Sequence, residues 1–173
     1  MVMKSKEERE TLLRDLDAAL LEGARRADAC DRWAPALALI LERLACPVGT
    51  LHLLDAARNV LVLLAHRGLP PEMLQRVALV PVGKGMAGLA AERREPVQVC
   101  NLQTDASGVA RSAAKAAGSL GSVAVPILSG DGVQGVLGVG KAVEHDFSGA
   151  ESDLLLQVAA RFARYISVPG PQS

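Results

Sequence analysis

Aromatic side chains are scarce in this chain of 173 residues. Four rings make up 2% of it, and they belong to Trp33, Phe147, Phe162 and Tyr165. Too few rings are present to build a site that stacks a nucleobase or a tetrapyrrole between aromatic faces. The core must therefore be aliphatic, and we expect any ligand to be small, polar and non-aromatic.

An excess of one charge is also lacking. Lys and Arg together number 19, Asp and Glu also number 19, and the formal net charge at pH 7 is zero. A nucleic-acid groove or an anionic membrane surface selects for an excess of basic residues. We therefore expect neither nucleic acid nor a membrane among the partners.

Cysteine and long apolar runs are equally sparse. Cys30, Cys46 and Cys100 are widely spaced and form no CxxC pair, so they predict neither a disulfide framework nor a zinc finger. The first ten residues are too polar for a signal peptide, and the longest apolar run, Ala34–Leu41, is far short of the roughly 20 residues that cross a bilayer. We interpret the chain as a reduced, cytoplasmic protein.

Sites for metals and catalysis are not visible in the pattern of polar residues. The three histidines, His52, His66 and His145, have no carboxylate or cysteine at metal-ligand spacing. No Ser-His-Asp arrangement or paired acidic constellation is present. We predict no metal site, no cofactor and no catalytic residue.

Half of the chain is hydrophobic, and its periodicity predicts helices at both ends. Ser5 with Glu8 has the spacing of a capping box, and apolar residues then recur at helical spacing to about Ala29. A second helix begins near Trp33. A second capping box, Ser148 with Glu151, predicts a closing helix that ends before the Pro- and Gly-containing tail of residues 168–173.

Strand-like runs fill the middle of the chain. They are Val48–Leu54, Val60–His66, Val77–Val82, Val97–Leu102, Leu120–Leu128 and Val133–Val139. Short helical segments are predicted after Pro70, from the segment Gly83–Gly88 to about Arg93, and around Val109–Ala117. Hairpins in the middle with helices at the ends favour an α+β fold, in which terminal helices cover one face of one antiparallel sheet.

Several segments follow one another in a characteristic order: Val80–Gly88 with Arg94–Val97, then Gly121–Ile127, Gly135–Val139 and Phe147–Leu155. In this order and spacing they resemble the GAF domain family of sensory modules. The resemblance covers about Pro35 to Ile166. It implies a central antiparallel sheet of about six strands, terminal helices on one face and a lidded pocket on the other. We therefore divide the chain into a helical extension (1–30), a GAF domain (31–167) and a frayed tail (168–173).

The glycines Gly83, Gly85 and Gly88 match a GxGxxG pattern. A dinucleotide fingerprint requires a βαβ unit in a parallel sheet, and the hairpins that follow argue against one. Two interpretations remain open. The glycines permit a tight turn and close helix packing, and the amides of this helix start, with Lys84 nearby, are suited to hold an anion.

The resemblance places a pocket lid in the segment 101–118, which is rich in Ala, Ser and Gly. Arg111 and Lys115, four residues apart, share one face of a helix and point either inward at an acidic ligand or outward at water. The predicted ligand-binding residues are Lys84, Cys100, Asn101, Thr104, Asp105, Arg111 and Lys115. Lys141 and Glu151 echo a signature of cyclic-nucleotide-binding GAF domains, and we expect them to form a structural salt bridge. Gly140, Glu151 and Ser152 replace the Asn, Asp and Glu of that signature, and the low aromatic content disfavours a cyclic nucleotide.

A sensory role is the favoured function. We expect a homodimer that binds a small ligand or a partner protein and signals through its terminal helices to a downstream protein. One alternative is a GAF enzyme that reduces free methionine sulfoxide with cysteines. Here Met86 and Ala87 stand where those enzymes carry a Cys, and Cys100 has no resolving partner. The other alternative is a dimerising scaffold with a degenerate pocket.

The terminal helices are the predicted dimer surface, because their apolar stripes exceed what one sheet face needs. The residues assigned to that surface are Leu13, Leu16, Leu20, Leu155 and Phe162. The open alternative is that these stripes are satisfied inside a single chain.

Overall fold

A computed structural model describes residues 5–102, 104, 106, 120–130 and 132–166, without the side chains of Ala29 and Cys30. The helices within these residues are α1 (Lys6–Ala24), α2 (Ala29–Arg43), α3 (Pro71–Val77), α4 (Gly85–Arg93) and α5 (Gly149–Ile166). The strands are β1 (Val48–Asp55), β2 (Val60–Arg67), β3 (Leu79–Pro81), β4 (Val97–Val99), β5 (Ser122–Ser129) and β6 (Gly132–Gly140).

The strands form one antiparallel sheet in the order β3-β2-β1-β6-β5-β4. Two hairpins, β1–β2 and β5–β6, meet at the centre, where Leu51 of β1 pairs with Leu137 of β6. Both edge strands have three residues. The sheet and its flanking helices confirm the predicted α+β class.

Helices α1, α2 and α5 cover one face of the sheet and enclose the larger core. Each helix contributes fully buried apolar side chains, among them Leu16 from α1, Ile40 from α2 and Phe162 from α5. Leu51 and Leu137 meet them from the sheet. The alternation of side chains along each strand places the neighbouring residues on the opposite face.

This core corrects the predicted dimer surface. Its five residues belong to the core of a single chain, with exposed fractions of 8% for Leu13, 0% for Leu16, 1% for Leu20, 2% for Leu155 and 0% for Phe162. Side chains already buried within the chain are not available to a partner. The apolar stripes of the helices are therefore satisfied internally, and the homodimer stays a prediction without these residues.

Among the described residues, α4 and the short α3 are the helices on the opposite face. Ala90 and Ala91 of α4 pack on Leu61, Ala124 and Val136 of the sheet in a second, smaller core. Because α4 has nine residues, it covers only part of this face and leaves room beside it. That room is the cavity described below.

Several boundaries differ from the sequence predictions. Helix α1 ends at Ala24 rather than Ala29, since Arg25 already closes the last turn. Strand β3 begins at Leu79 because α3 continues to Val77, and β4 ends at Val99 rather than Leu102. The helical segment predicted around 109–117 lies outside the described residues. In the part of the chain that the structure describes, no helix has the length and apolar character needed to cross a membrane.

Candidate ligand cavity

A cavity of about 170 Å³ lies between the sheet and the α3–β3–α4 segment. Strands β1, β5 and β6 supply its floor with Val48, Gly49, Thr50, His52, Ser122, Val123, Ala124, Gly138, Val139 and Gly140. Its walls are Leu69, Arg76, Val77, Leu79, Val80, Pro81, Lys84, Gly85, Met86, Ala87 and Leu102. The lining is mostly aliphatic, with a few polar groups at defined places.

The first turn of α4 borders this space. Gly85, Met86 and Ala87 line the cavity, no side chain caps the helix, and no hydrogen bond among the described residues uses their N–H groups. Unpaired N–H donors at a helix start carry partial positive charge. The arrangement suits an anion.

The glycine pattern explains how α4 reaches this position. Gly83 and Gly85 have φ angles of 83° and 63°, a left-handed backbone that favours glycine. A Cβ at Gly88 would lie 2.3 Å from the carbonyl oxygen of Pro81, so only glycine lets α4 pack this closely on β3. The turning-and-packing interpretation of GxGxxG fits this geometry, and the sheet is antiparallel where a dinucleotide fold needs a parallel one.

His52 is the buried polar side chain of the floor. It is 2% exposed, and its Nε2 lies 2.9 Å from the carbonyl oxygen of Val77, to which it must donate. Burial lowers the pKa of His52, so the ring is neutral near pH 7. Its Nδ1 then carries a lone pair that has no hydrogen-bond partner among the described residues.

Two basic side chains, Arg76 and Lys84, stand at the edge of the cavity and are exposed. Thr50 and Ser122 add hydroxyl groups to the floor. Among the described residues, no Asp or Glu lines the cavity. The charged groups that border it are therefore all basic.

The sequence places this architecture in a family. The sequence model of the GAF domain matches residues 35–167, which is most of the chain and includes the whole sheet. The chain belongs to the GAF domain family. No curated protein matches the chain.

Solved structures agree with this GAF fold. The GAF domain of a phosphoenolpyruvate-protein phosphotransferase from Coxiella burnetii is 20% identical over 94% of this chain and 95% of that one, with a TM-score of 0.76. A putative GAF sensor protein from Burkholderia vietnamiensis is 21% identical over 91% and 94%, with a TM-score of 0.68. The free methionine-R-sulfoxide reductase from Neisseria meningitidis is 17% identical over 96% and 93%, with a TM-score of 0.76. At such identities the likeness shows the fold alone.

One predicted ligand-binding residue, Lys84, lines the cavity of this GAF domain. Cys100 and Thr104 are exposed, and the Asn101 side-chain amide donates to Glu144. These three residues are not part of the lining. Asp105, Arg111 and Lys115 lie outside the described residues.

Sequence reasoning missed several polar groups of the cavity: His52, Arg76 and the hydroxyl groups of Thr50 and Ser122. His52 was considered only as a metal ligand, although its alternation with Leu51 on β1 places it on the face away from the helices. That alternation is a signal that the sequence carries. Arg76 gives no such signal, because its place at the cavity depends on how α3 sits against the sheet.

The predicted salt bridge between Lys141 and Glu151 is wrong. Lys141 is 7% exposed, and its Nζ donates to the carbonyl oxygen of Leu44 at 2.8 Å. Glu151 instead accepts from His145, whose Nε2 lies 2.9 Å from Oε1. The Lys141 ammonium therefore fastens the end of β6 to the chain just after α2.

Glu151 has a second function at the start of α5. Its carboxylate accepts from the backbone N–H of Ser148, and its own N–H donates to the Ser148 hydroxyl, which confirms the predicted capping box. Partial burial would raise the pKa of Glu151, but the hydrogen bonds from Ser148 and His145 outweigh burial and lower it.

Of the cysteines whose side chains are described, neither lines the cavity. Cys46 is buried in the helical core, and burial raises the pKa of its thiol despite the nearby Lys141. Cys100 is exposed. A buried thiol with a raised pKa is a poor nucleophile.

Proposed function

We propose that this GAF domain is a regulatory module that binds a small ligand in the cavity beside α4 and signals through its terminal helices. The observation that carries the proposal is an aliphatic cavity lined by Gly85, Met86 and Ala87, whose N–H groups have no hydrogen-bond partner among the described residues. Unpaired amides at a helix start favour an anionic group. A ligand that accepts hydrogen bonds from these amides is therefore stabilised in the cavity.

The sheet offers a direct route from the cavity to the helices. In β1, His52 lines the cavity, while the adjacent Leu51 is buried among α1, α2 and α5. A ligand that favours one position of β1 thereby favours one arrangement of the helical layer. A downstream protein that contacts those helices reads the arrangement.

The placement of the cysteines disfavours the reductase alternative. Attack on a sulfoxide in the cavity requires a thiol among the lining residues, and neither Cys46 nor Cys100 is there. We expect no turnover of free methionine sulfoxide by the full chain with a thiol reductant. Turnover that disappears in Cys100→Ser would show an enzyme and contradict the proposal.

The test of ligand binding uses a variant that fills the cavity. Ala87 lies on α4 and lines the cavity, and Leu is a good helix former. We expect some member of a library of small organic acids, anions and nucleotides to raise the melting temperature of the wild type in proportion to its concentration. Ala87→Leu should abolish that shift.

Ala160→Leu is the matched control, because Ala160 is exposed on α5 and far from the lining. It should keep the ligand response. If no library compound stabilises the wild type and native mass spectrometry finds no retained ligand, the sensor proposal is wrong and the scaffold with a degenerate pocket is favoured. An equal shift in wild type and Ala87→Leu would place binding elsewhere and also contradict it.

A further inference from the structure

Helix α3 forms part of one wall of the cavity and is attached to the sheet at few points. Arg76 and Val77 of this helix line the cavity, and Met73 is its buried side chain. Among the described residues, one hydrogen bond joins α3 to the sheet, from Nε2–H of His52 to the carbonyl oxygen of Val77. The neighbouring strands β2 and β6, by contrast, pair with β1 along most of its length. Of the elements around His52, α3 therefore separates from the sheet with the smallest loss of hydrogen bonds.

His52 occupies this attachment point as a neutral ring. It is 2% exposed, and burial lowers its pKa, although the hydrogen bond to Val77 acts in the opposite direction. The one N–H of the neutral ring is used on Val77. Nδ1 is buried and has no hydrogen-bond partner among the described residues.

A proton on Nδ1 would give the ring a second N–H and a positive charge. No acceptor for that N–H is present among the described residues. The charged side chains that line the cavity together with His52 are Arg76 and Lys84, both of them cations. A buried charge without a partner is costly, so the protonated ring is stable only where it reaches water.

The elements around His52 supply no carboxylate to this point. Strands β3, β5 and β6 have no ionisable side chain. The ionisable groups of the other elements, which all lie outside the cavity lining, are Asp55 of β1, His66 and Arg67 of β2, Glu72 of α3, and Glu92 and Arg93 of α4. An imidazolium at His52 therefore has no anion to stabilise it in the closed structure.

From these contacts we infer that His52 is a pH-sensitive switch, whose protonation separates α3 from the sheet and opens this wall of the cavity. The open form gives Nδ1 access to water, so it binds a proton at the ordinary pKa of histidine, whereas the closed form does not. The open population therefore grows as the pH falls below about 6.5. Loss of one wall would release a ligand from the cavity, and for that consequence alone the inference rests on the proposed function.

Hydrogen exchange of the full chain without ligand, at pH 7.5 and pH 5.5, measures the opening once the pH dependence of the intrinsic exchange rate is removed. For the amides of residues 75–78 we expect the open population to rise about tenfold between these pH values. Their exchange should be faster than that of the α1 amides and insensitive to low concentrations of urea, because local opening exposes little surface.

Two variants assign the effect to one histidine. His52→Gln keeps an N–H donor for Val77 and takes up no proton, so the tenfold rise should disappear. His66→Gln is the matched control, because His66 is an exposed histidine of β2 outside the cavity lining. It should keep the full rise.

Three exchange results would overturn the inference. They are an open population that does not rise in the wild type, a rise that persists in His52→Gln, and exchange of residues 75–78 as slow and as urea-dependent as that of α1. The last would mean that α3 opens only when the whole domain unfolds. If His52→Gln fails to fold, an NMR titration of the wild-type His52 ring decides instead, and an apparent pKa of about 6.5 or above would contradict the switch.

The outcome is separate from that of the ligand tests. A tenfold rise with no ligand found supports the switch while the proposed function fails. A ligand that stabilises the wild type but not Ala87→Leu, without any rise in exchange, supports the proposed function and overturns the switch.

Discussion

At the scale of single residues, the polar side chains of this GAF domain act across elements that are distant in sequence. His52 donates to Val77 and Lys141 donates to Leu44. In neither case does the spacing of residues along the sequence determine the hydrogen-bond partner. The geometry of each contact follows from the tertiary fold, and both side chains are buried.

His52 should make the protein sensitive to mild acid. Burial lowers its pKa in the folded chain below the usual 6.5, so below about pH 6.5 the unfolded chain binds a proton that the folded chain does not. Stability therefore falls as the pH drops. Between pH 7.5 and 5.5 the free energy of unfolding should fall by about 1 kcal/mol more in the wild type than in His52→Gln.

Urea unfolding at both pH values measures this difference. The carboxylate of Glu151, whose pKa is lowered, stays ionised over this range and does not contribute to the difference. Equal losses in the wild type and the variant would show that His52 takes up a proton in the folded state, which contradicts the neutral ring described above.

Lys84 and Lys141 show how far the sequence alone predicts the position and partner of a polar side chain. Lys84 follows a strand and precedes a glycine-rich helix start, so its place beside the α4 amides follows from local pattern. Lys141 was paired with Glu151 by family resemblance, but which oxygen it reaches depends on how the end of β6 meets the residues after α2. The sequence alone does not show which oxygen lies within hydrogen-bond distance of the Lys141 ammonium group.

At the scale of elements, short-range rules were the most informative. Both predicted capping boxes are present, at Ser5 with Glu8 and at Ser148 with Glu151, because a capping box spans four residues and needs no tertiary partner. The ends of β3 and β4 were predicted less well. These strands are set by pairing with β2 and β5, and a run of apolar residues does not encode where that pairing stops.

The start of α5 offers a test of the corrected ion pair. His145 and Glu151 are partly buried, with exposed side-chain fractions of 24% and 14%, and their contact joins the loop before α5 to its first turn. A double-mutant cycle with His145→Gln and Glu151→Gln, measured by urea unfolding at pH 6, should give a coupling energy of about 1 kcal/mol.

The matched cycle with Lys141→Met and Glu151→Gln should give less than about 0.5 kcal/mol, because Lys141 donates to Leu44 instead. A larger coupling energy for the Lys141–Glu151 pair than for the His145–Glu151 pair would contradict this result and support the salt bridge predicted from the sequence.

At the scale of the whole molecule, α1 lies outside the residues matched by the family model yet contributes to the core. Leu12, Leu16 and Leu20 are buried against α2 and α5, and Asp17 of α1 pairs with Arg161 of α5. The helix that sequence analysis set apart as an extension therefore packs with the domain. Its apolar stripe alone did not reveal whether it would face its own chain or a second one.

Two leucines of α1 provide the test of this packing. Leu16 is 0% exposed and Leu21 is 50% exposed. Leu16→Ala should lower the free energy of unfolding by about 2–5 kcal/mol, because it leaves a cavity in the core, while Leu21→Ala on the same helix should change it by less than about 0.5 kcal/mol. Similar small decreases in the free energy of unfolding for Leu16→Ala and Leu21→Ala would mean that α1 is not part of the folded core.

The central position of β6 beside β1 has a consequence for how the chain is made. Leu51 emerges from the ribosome long before its neighbour in the sheet, Leu137. Until β6 is synthesised, the β1–β2 hairpin has no partner on its inner edge, and α1 and α2 have only part of their core. Contacts between such distant residues slow folding. The domain therefore completes its fold only after β6 and α5 are synthesised, and a nascent chain that stalls before β6 exposes apolar surface that chaperones recognise.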